Sequence, residues 1–184
     1  MYTLFIDTHD KELHLALFKE KEVFDEIIEE NKKHSECFIS SLQELLLKNK
    51  ITTHDLSGII VVNGPGSFTG VRIGVVVAKM IGYCENIPIK PISYLQALSL
   101  KYDQECFVGI TDKNGVFVGK FSKEHELIGD YFYLSKEEWT RFKENIIVDE
   151  VINLDMVYDY LQDKSAVLPH FVKPIYVKKI EVEQ

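Results

Sequence analysis

The stretch NGPGSFTGVRIG, residues 63–74, packs four glycines, one proline and two hydroxyl side chains into twelve positions. It follows the apolar run at residues 59–62 and leads into VVVAKMIGYC. This order predicts a buried strand, a tight loop and a helix. A loop of this kind either binds a phosphate at the start of the helix or only positions the helix, and the rest of the sequence bears on that choice.

The loop matches neither common phosphate-binding pattern. The P-loop needs a lysine after its last glycine, and none follows here. In G-x-G-x-x-G the third glycine would stand at position 69, one residue before Gly70. Free backbone amides and a capping hydroxyl, from Ser67 or Thr69, remain. The residues kept as a possible anion or nucleotide site are Asp7, Gly64, Gly66 and Ser67.

The helix after the loop carries a stripe of small residues. They recur every four positions and therefore share one face: Gly70, Gly74, Ala78 and Gly82. A glycine inside a helix costs up to about 1 kcal/mol relative to alanine, so the stripe indicates close approach of another backbone. The remaining positions are apolar, among them Val76, Met80 and Tyr83, and only Arg72 and Lys79 are charged. This pattern fits either a central core helix of a monomer or a helix shared between the core and a partner subunit.

The order of elements predicts an α/β fold with two lobes. Three strands, the second one alternating over residues 13–17, precede a helix near residues 34–49, for which Ser35 is a candidate N-cap. Strand, helix, strand and helix follow, which completes a first lobe at residues 1–102. From Cys106 a buried strand, a tight turn and an alternating strand begin again. Residues 103–184 are therefore predicted to form a second, reduced lobe.

Composition limits the possible functions. The chain has 184 residues, 46% of them hydrophobic, and a formal net charge of −8, which disfavours direct nucleic-acid binding by this chain alone. Its three cysteines are widely spaced and predict no disulfide framework. We find no signal-peptide pattern and no apolar run long enough to span a membrane, and we predict a cytoplasmic protein.

No strong catalytic constellation is present. The six histidines show no helical metal-binding pair, and there is no G-x-S-x-G elbow. Asp7 and Asp112 each follow a predicted strand. One alternative function is thus an actin-like ATPase or kinase that uses Asp7, the loop at residues 64–70 and Asp112. A second is a peptidase that uses Ser67.

Four segments resemble the TsaB family, also called YeaZ: FIDT, HSECFISSLQELL, GIIVVNGPGSFTGVRIGVVVAKMIGY and IPIKPISYLQAL. They occur in the family's order over residues 2–100, and GPGSFTGVRIG is the most specific of its motifs. The tail KPIYVKK is similar to the family's closing P-x-Y motif. The second lobe departs from the family, because TDKNGVFVG stands where a D-A-R-x-G-E-like stretch is usual.

The resemblance implies an actin-like, ribonuclease-H-like fold and a non-catalytic role. TsaB proteins pair with TsaD, or with themselves, through helices of the first lobe in the synthesis of threonylcarbamoyladenosine on tRNA. TsaE, a small ATPase, joins the complex. We therefore expect this chain to hold no metal or cofactor of its own, ATP and metal to belong to the partner subunits, tRNA to be reached only through the complex, and no membrane to be involved.

The resemblance also implies a partner-binding surface on the two helices. Its expected residues are His34, Phe38, Leu42, Thr69, Gly70, Arg72, Ile73, Gly74, Val77, Ala78, Lys79, Ile81 and Gly82. If the small-residue stripe faces the partner, Gly74→Leu should abolish binding and leave the fold intact.

Overall fold

The computed structural model describes residues 1–29 and 33–177. The strands of this part are β1 (Tyr2–Asp7), β2 (Leu13–Lys19), β3 (Glu22–Glu29), β4 (Leu56–Val62), β5 (Ile89–Ile92), β6 (Cys106–Asp112), β7 (Gly115–Phe121), β8 (Phe132–Ser135) and β9 (Ile146–Val148). The helices are α1 (His34–Lys48), α2 (Phe68–Cys84), α3 (Tyr94–Ser99), α4 (Lys136–Arg141) and α5 (Leu154–Gln162). Short 3₁₀ turns occur at Thr53–Asp55 and Pro169–Phe171.

The first sheet has the strand order β3-β2-β1-β4-β5. The central strand β1 pairs antiparallel with β2, where Leu4 lies opposite Leu17, and parallel with β4, where Leu4 lies opposite Ile59. The acidic strand β3 forms one edge, as its charge predicts. This order and these directions are those of the ribonuclease-H-like fold that the sequence predicts.

Both faces of this sheet are buried. Because side chains alternate along a strand, Leu4 and Ile6 of β1 pack against α1 and α2, whereas Phe5 packs toward α3 and α5 on the other face. The first sheet is therefore the middle layer of the molecule, and α2 lies on one outer side of it.

The second sheet repeats the first with one strand fewer. Its order is β8-β7-β6-β9, in which β6 and β7 are antiparallel and β6 and β9 are parallel. In both halves of the chain, three antiparallel strands are followed by a helix and then by a strand that pairs parallel with the first one. This confirms the α/β class and the restart at Cys106, while the boundary between residues 102 and 103 stays a prediction.

Side-chain caps start most of the helices. Ser67 accepts a hydrogen bond from Gly70 N at the start of α2, and Ser93 accepts one from Gln96 N at the start of α3. At α1 the prediction of Ser35 as the N-cap is wrong, because the helix begins at His34 and Lys33 is the capping residue. Within the described ranges, no helix is both long and apolar enough to cross a bilayer.

Candidate functional site: an exposed helix face beside an interlobe cleft

The glycine loop packs tightly against the segment that follows β1. Ser67 N donates a hydrogen bond to the carbonyl oxygen of His9 at 2.6 Å. A Cβ atom on Gly66 would lie 2.2 Å from that same oxygen, so only glycine fits there. The Ser67 amide is therefore already hydrogen-bonded to a carbonyl oxygen of the protein. A phosphate bound in this loop would need that amide to be free.

Asp7 is buried and already has partners within the chain. The backbone amide of His9 donates to Asp7 Oδ1 at 2.9 Å, and His9 Nδ1 lies 2.8 Å from the same oxygen. The His9 ring stacks on Tyr94, with ring centroids 3.7 Å apart. Burial, and secondarily the charge of Asp7, raises the pKa of Tyr94 well above its usual range. These contacts give Asp7 a structural role at the end of β1.

Asp112, at the end of β6, has a comparable role. Its Oδ1 accepts hydrogen bonds from Asn114 N at 2.8 Å, from Gly115 N at 2.9 Å and from the Tyr133 hydroxyl at 2.7 Å. The carboxylate thus closes the turn between β6 and β7.

A cleft of about 1040 Å³ separates these two carboxylate turns. It is lined by both predicted lobes and by the C-terminal segment: His9, Asp10, Lys11, Pro65, Gly66, Ser67, Phe68, Ile110, Thr111, Asp112, Lys113, Phe117, Ile175, Tyr176 and Val177. Two residues of the possible anion site, Gly66 and Ser67, line the cleft, whereas Asp7 and Gly64 are not among its lining residues. Their binding of an anion or nucleotide stays a prediction. Across residues 1–29 and 33–177, no three histidine, cysteine or acidic side chains form a metal-binding group.

The small-residue stripe of α2 faces this chain's own sheet. A Cβ atom on Gly70 would lie 2.1 Å from Thr8 O, and one on Gly74 would lie 2.4 Å from Thr8 Oγ1. At the other end of the helix, a Cβ on Gly82 would lie 2.9 Å from Ile89 Cδ1. The glycines therefore let α2 approach β1 and β5 closely.

This packing shows where the expected partner-binding residues lie, while their contact with a partner stays a prediction. Nine of the thirteen are buried inside this chain: His34, Phe38, Leu42, Gly70, Gly74, Val77, Ala78, Ile81 and Gly82. The physical reason is that the small or apolar side of each helix covers the sheet. Of the remaining four, Thr69 and Arg72 are exposed, and Ile73 and Lys79 are half-buried. Gly74→Leu should consequently disturb the fold, contrary to the expectation above.

The solvent side of α2 carries large apolar residues that the expected set omits. Val76, Met80 and Tyr83 are 62%, 52% and 79% exposed. Positions 72, 76, 80 and 83 follow helical spacing, so the three lie on one face with Arg72. We call Arg72, Val76, Met80 and Tyr83 the outer face of α2. The apolar character of nearly every position of this helix was the signal for this face in the sequence.

The C-terminal segment, residues 172–177, contacts both α2 and the glycine loop. Lys79 Nζ donates to the carbonyl oxygen of Val172 at 3.2 Å, and Ile175 N donates to Asn63 O at 2.7 Å. Beyond it, Arg72 Nε donates to the Tyr176 hydroxyl at 2.6 Å. The Pro-x-Tyr motif of the tail thereby reaches α2, while Lys178 and Lys179, at the end of the stretch KPIYVKK, lie outside the described residues.

Comparisons with known proteins find relatives whose descriptions name the threonylcarbamoyladenosine modification of tRNA. Residues 23–107 match the family described as TsaD, tRNA N6-adenosine threonylcarbamoyltransferase. The tRNA threonylcarbamoyladenosine biosynthesis protein TsaB of Bacillus subtilis is 42% identical over 100 residues, which cover 54% of this chain and 44% of that protein. The TsaB protein of Buchnera aphidicola from Schizaphis graminum is 30% identical over 133 residues, covering 68% and 62%.

Among solved structures, YeaZ from Pseudomonas aeruginosa has a TM-score of 0.76 at 18% identity and covers 96% of this chain and 99% of its own. That likeness shows the fold. The aligned part of the chain spans about half the length of the first curated relatives, between 44% and 62%. The GPGSFTGVRIG motif, the matches to TsaB proteins and the shared fold together show that the chain belongs to the TsaB (YeaZ) family.

Proposed function

We propose that this chain is a non-catalytic subunit in the synthesis of threonylcarbamoyladenosine on tRNA, and that it binds a TsaD-like subunit through the outer face of α2. The observation that carries the proposal is the exposure of Val76, Met80 and Tyr83 along one side of a helix whose other side is already buried. Exposed apolar clusters of this kind mark protein interaction sites. Tyrosine, methionine and arginine are enriched at such sites.

Covering these side chains provides a substantial driving force. Full burial of an apolar side chain of this size contributes about 1.5–3 kcal/mol. Helix α1 contacts α2 and exposes Ile39 and Leu47, so a partner that covers both helices could cover these side chains as well. Thr69 and Ile73, from the expected set, lie on the flank of α2 next to this surface.

A TsaD-like partner suits this surface because the two proteins share the same helices. The TsaD family match spans residues 23–107, which include α1 and α2. Two related subunits that present the same face can pair about an approximate twofold axis, as identical subunits do about an exact one. The same face would serve for a homodimer when the chain is alone.

The non-catalytic assignment is supported by the roles of the candidate reacting groups. Asp7 holds His9, Asp112 closes a turn, and the amide of Ser67 donates to a carbonyl of the chain. An ATPase or kinase would need these groups free for its substrate. In our proposal ATP and metal belong to the TsaD-like and TsaE-like subunits. The net charge of −8 favours contact with tRNA only through the complex.

Val76→Arg tests the proposed surface. The change removes an apolar contact and places a charge where the partner would bury it, so we expect the affinity for the TsaD-like subunit to fall at least about 100-fold. Isothermal titration calorimetry with the two full chains measures this. Val151→Arg is the matched control, because Val151 is 75% exposed but lies in the second lobe. Wild-type affinity of Val76→Arg would contradict the proposal.

A further inference from the structure

Arg72 is held in one orientation on the outer face of α2. Its guanidinium carbon lies 3.6 Å from the centroid of the Phe68 ring. Its Nε donates to the Tyr176 hydroxyl at 2.6 Å. Phe68 and Tyr176 also contact each other, with ring centroids 5.2 Å apart. Two aromatic side chains from distant parts of the sequence therefore fix the guanidinium plane.

This cation has no acidic partner in the described part of the chain. None of the ion pairs there involves Arg72. Its hydrogen bond to Tyr176 uses Nε, so the terminal nitrogens Nη1 and Nη2 are left without a protein partner among those residues. The chain has 29 acidic side chains against 21 basic ones, which makes an exposed, ordered and unpaired guanidinium unusual.

Nη1 and Nη2 of a fixed guanidinium form a fork that matches a carboxylate. Such pairs make two parallel hydrogen bonds and are among the strongest polar contacts in proteins. Stacking and the Nε hydrogen bond restrict the side chain before binding, so less rotamer entropy is lost when the pair forms. We propose that Arg72, fixed by Phe68 and Tyr176, receives a carboxylate side chain of the partner subunit at the edge of the outer face.

A protein carboxylate fits this position better than an RNA phosphate. The residues that share the face with Arg72 are Val76, Met80 and Tyr83, which are suited to a protein surface. The nearest further cation on the helix, Lys79, donates to the carbonyl oxygens of His170 and Val172. Within residues 1–29 and 33–177, Arg72 is the one positive group of the outer face, and on a chain with a net charge of −8 it does not form the basic patch that RNA binding requires.

The test compares the chain's two arginines. This inference rests on the proposed function, so the probe is the full TsaD-like subunit titrated into full-length variants by calorimetry. We expect Arg72→Ala to weaken binding at least about tenfold. We expect Arg72→Lys to lose nearly as much, because an ammonium cannot form the fork. Arg141→Ala, in the second lobe, should bind as the wild type does.

Tyr176→Phe separates positioning from charge. It removes only the hydroxyl that accepts from Arg72 Nε, so we expect a smaller loss of affinity, about threefold to fivefold. The difference between wild type and Arg72→Ala should shrink as NaCl rises from about 50 mM to about 500 mM, since ion pairs are screened by salt. Thermal midpoints measured on each variant check that the fold is kept.

The outcomes distinguish this inference from the proposed function. If Arg72→Ala binds within about twofold of the wild type while Val76→Arg does not bind, the carboxylate pairing is wrong and the binding face stands. If Arg72→Lys binds as tightly as the wild type, the fork is not used and the inference also fails. If neither Val76→Arg nor Arg72→Ala changes the affinity, both the inference and the proposed face are wrong.

Discussion

Thr8 lies directly beneath α2, where its carbonyl oxygen approaches Gly70 and its hydroxyl approaches Gly74. The hydroxyl also donates to the carbonyl oxygen of Gly70 at 2.7 Å. One residue after β1 therefore accounts for two of the four small residues in the helix. Glycine spacing in the sequence predicts that another backbone comes close, but it carries no information on whether that backbone belongs to the same chain.

Substitutions at Gly74 and Thr8 should be coupled. A Cβ atom at position 74 would lie 2.4 Å from Thr8 Oγ1 and no closer than 3.4 Å to its next neighbour. We expect Gly74→Ala to lower the free energy of unfolding by about 1–3 kcal/mol. In a Thr8→Ala background the same change should be neutral or stabilising by up to about 1 kcal/mol, because alanine is the better helix former.

Urea denaturation of the four proteins measures this double-mutant cycle. Gly58→Ala is a suitable control, since its Cβ would meet only an ordinary contact 3.7 Å away. Equal destabilisation by Gly74→Ala in both backgrounds would show that the hydroxyl does not determine the glycine.

At the scale of the element, the two faces of α2 have different surroundings. Its small residues bring the helix onto the first sheet, and its outer face remains exposed. The sequence predicted the helix, a cap from Ser67 or Thr69, and its nearly uniform apolar character. It did not separate the two faces, because apolar residues occupy both, valine among them, and only the packing on β1 and β5 distinguishes them.

Helix α1 shows a second limit of local patterns. Ser35 has the chemistry of an N-cap, yet Lys33, two residues earlier, is the capping residue and His34 is the first residue of the helix. His34 is buried, and its Nε2 lies 3.2 Å from the carbonyl oxygen of Lys11. This contact is made with a segment more than twenty residues away, so a local pattern could not predict it.

The outer face of α2 should also govern self-association. Paired α2 helices of two copies would bury Val76, Met80 and Tyr83 against one another about a twofold axis. We expect the isolated chain to be a dimer at concentrations of tens of micromolar and Val76→Arg to be a monomer, as measured by light scattering after size exclusion. A dimer of Val76→Arg would place the self-association elsewhere, and Val151→Arg controls for an added surface charge.

At the scale of the whole molecule, the sequence predicted that a buried strand, a tight turn and an alternating strand begin again at Cys106, and the structure extends this repeat to the order β-β-β-α-β in both sheets. The cleft between them was not predicted, since it is formed by loops from distant segments and by Ile175 and Tyr176 of the tail. Tyr176 contributes both to the cleft and to the position of Arg72. The C-terminal segment thus connects the interlobe cleft to the proposed interface.

The central claim is that the outer face of α2 lies against a TsaD-like subunit in the complex. Site-specific incorporation of the photocrosslinking residue benzoylphenylalanine tests it most directly, at Val76 in one protein and at Val151 in another. After irradiation of the mixed subunits, we predict a covalent heterodimer with the first protein and none with the second. A crosslink from position 151 together with none from position 76 would contradict the account.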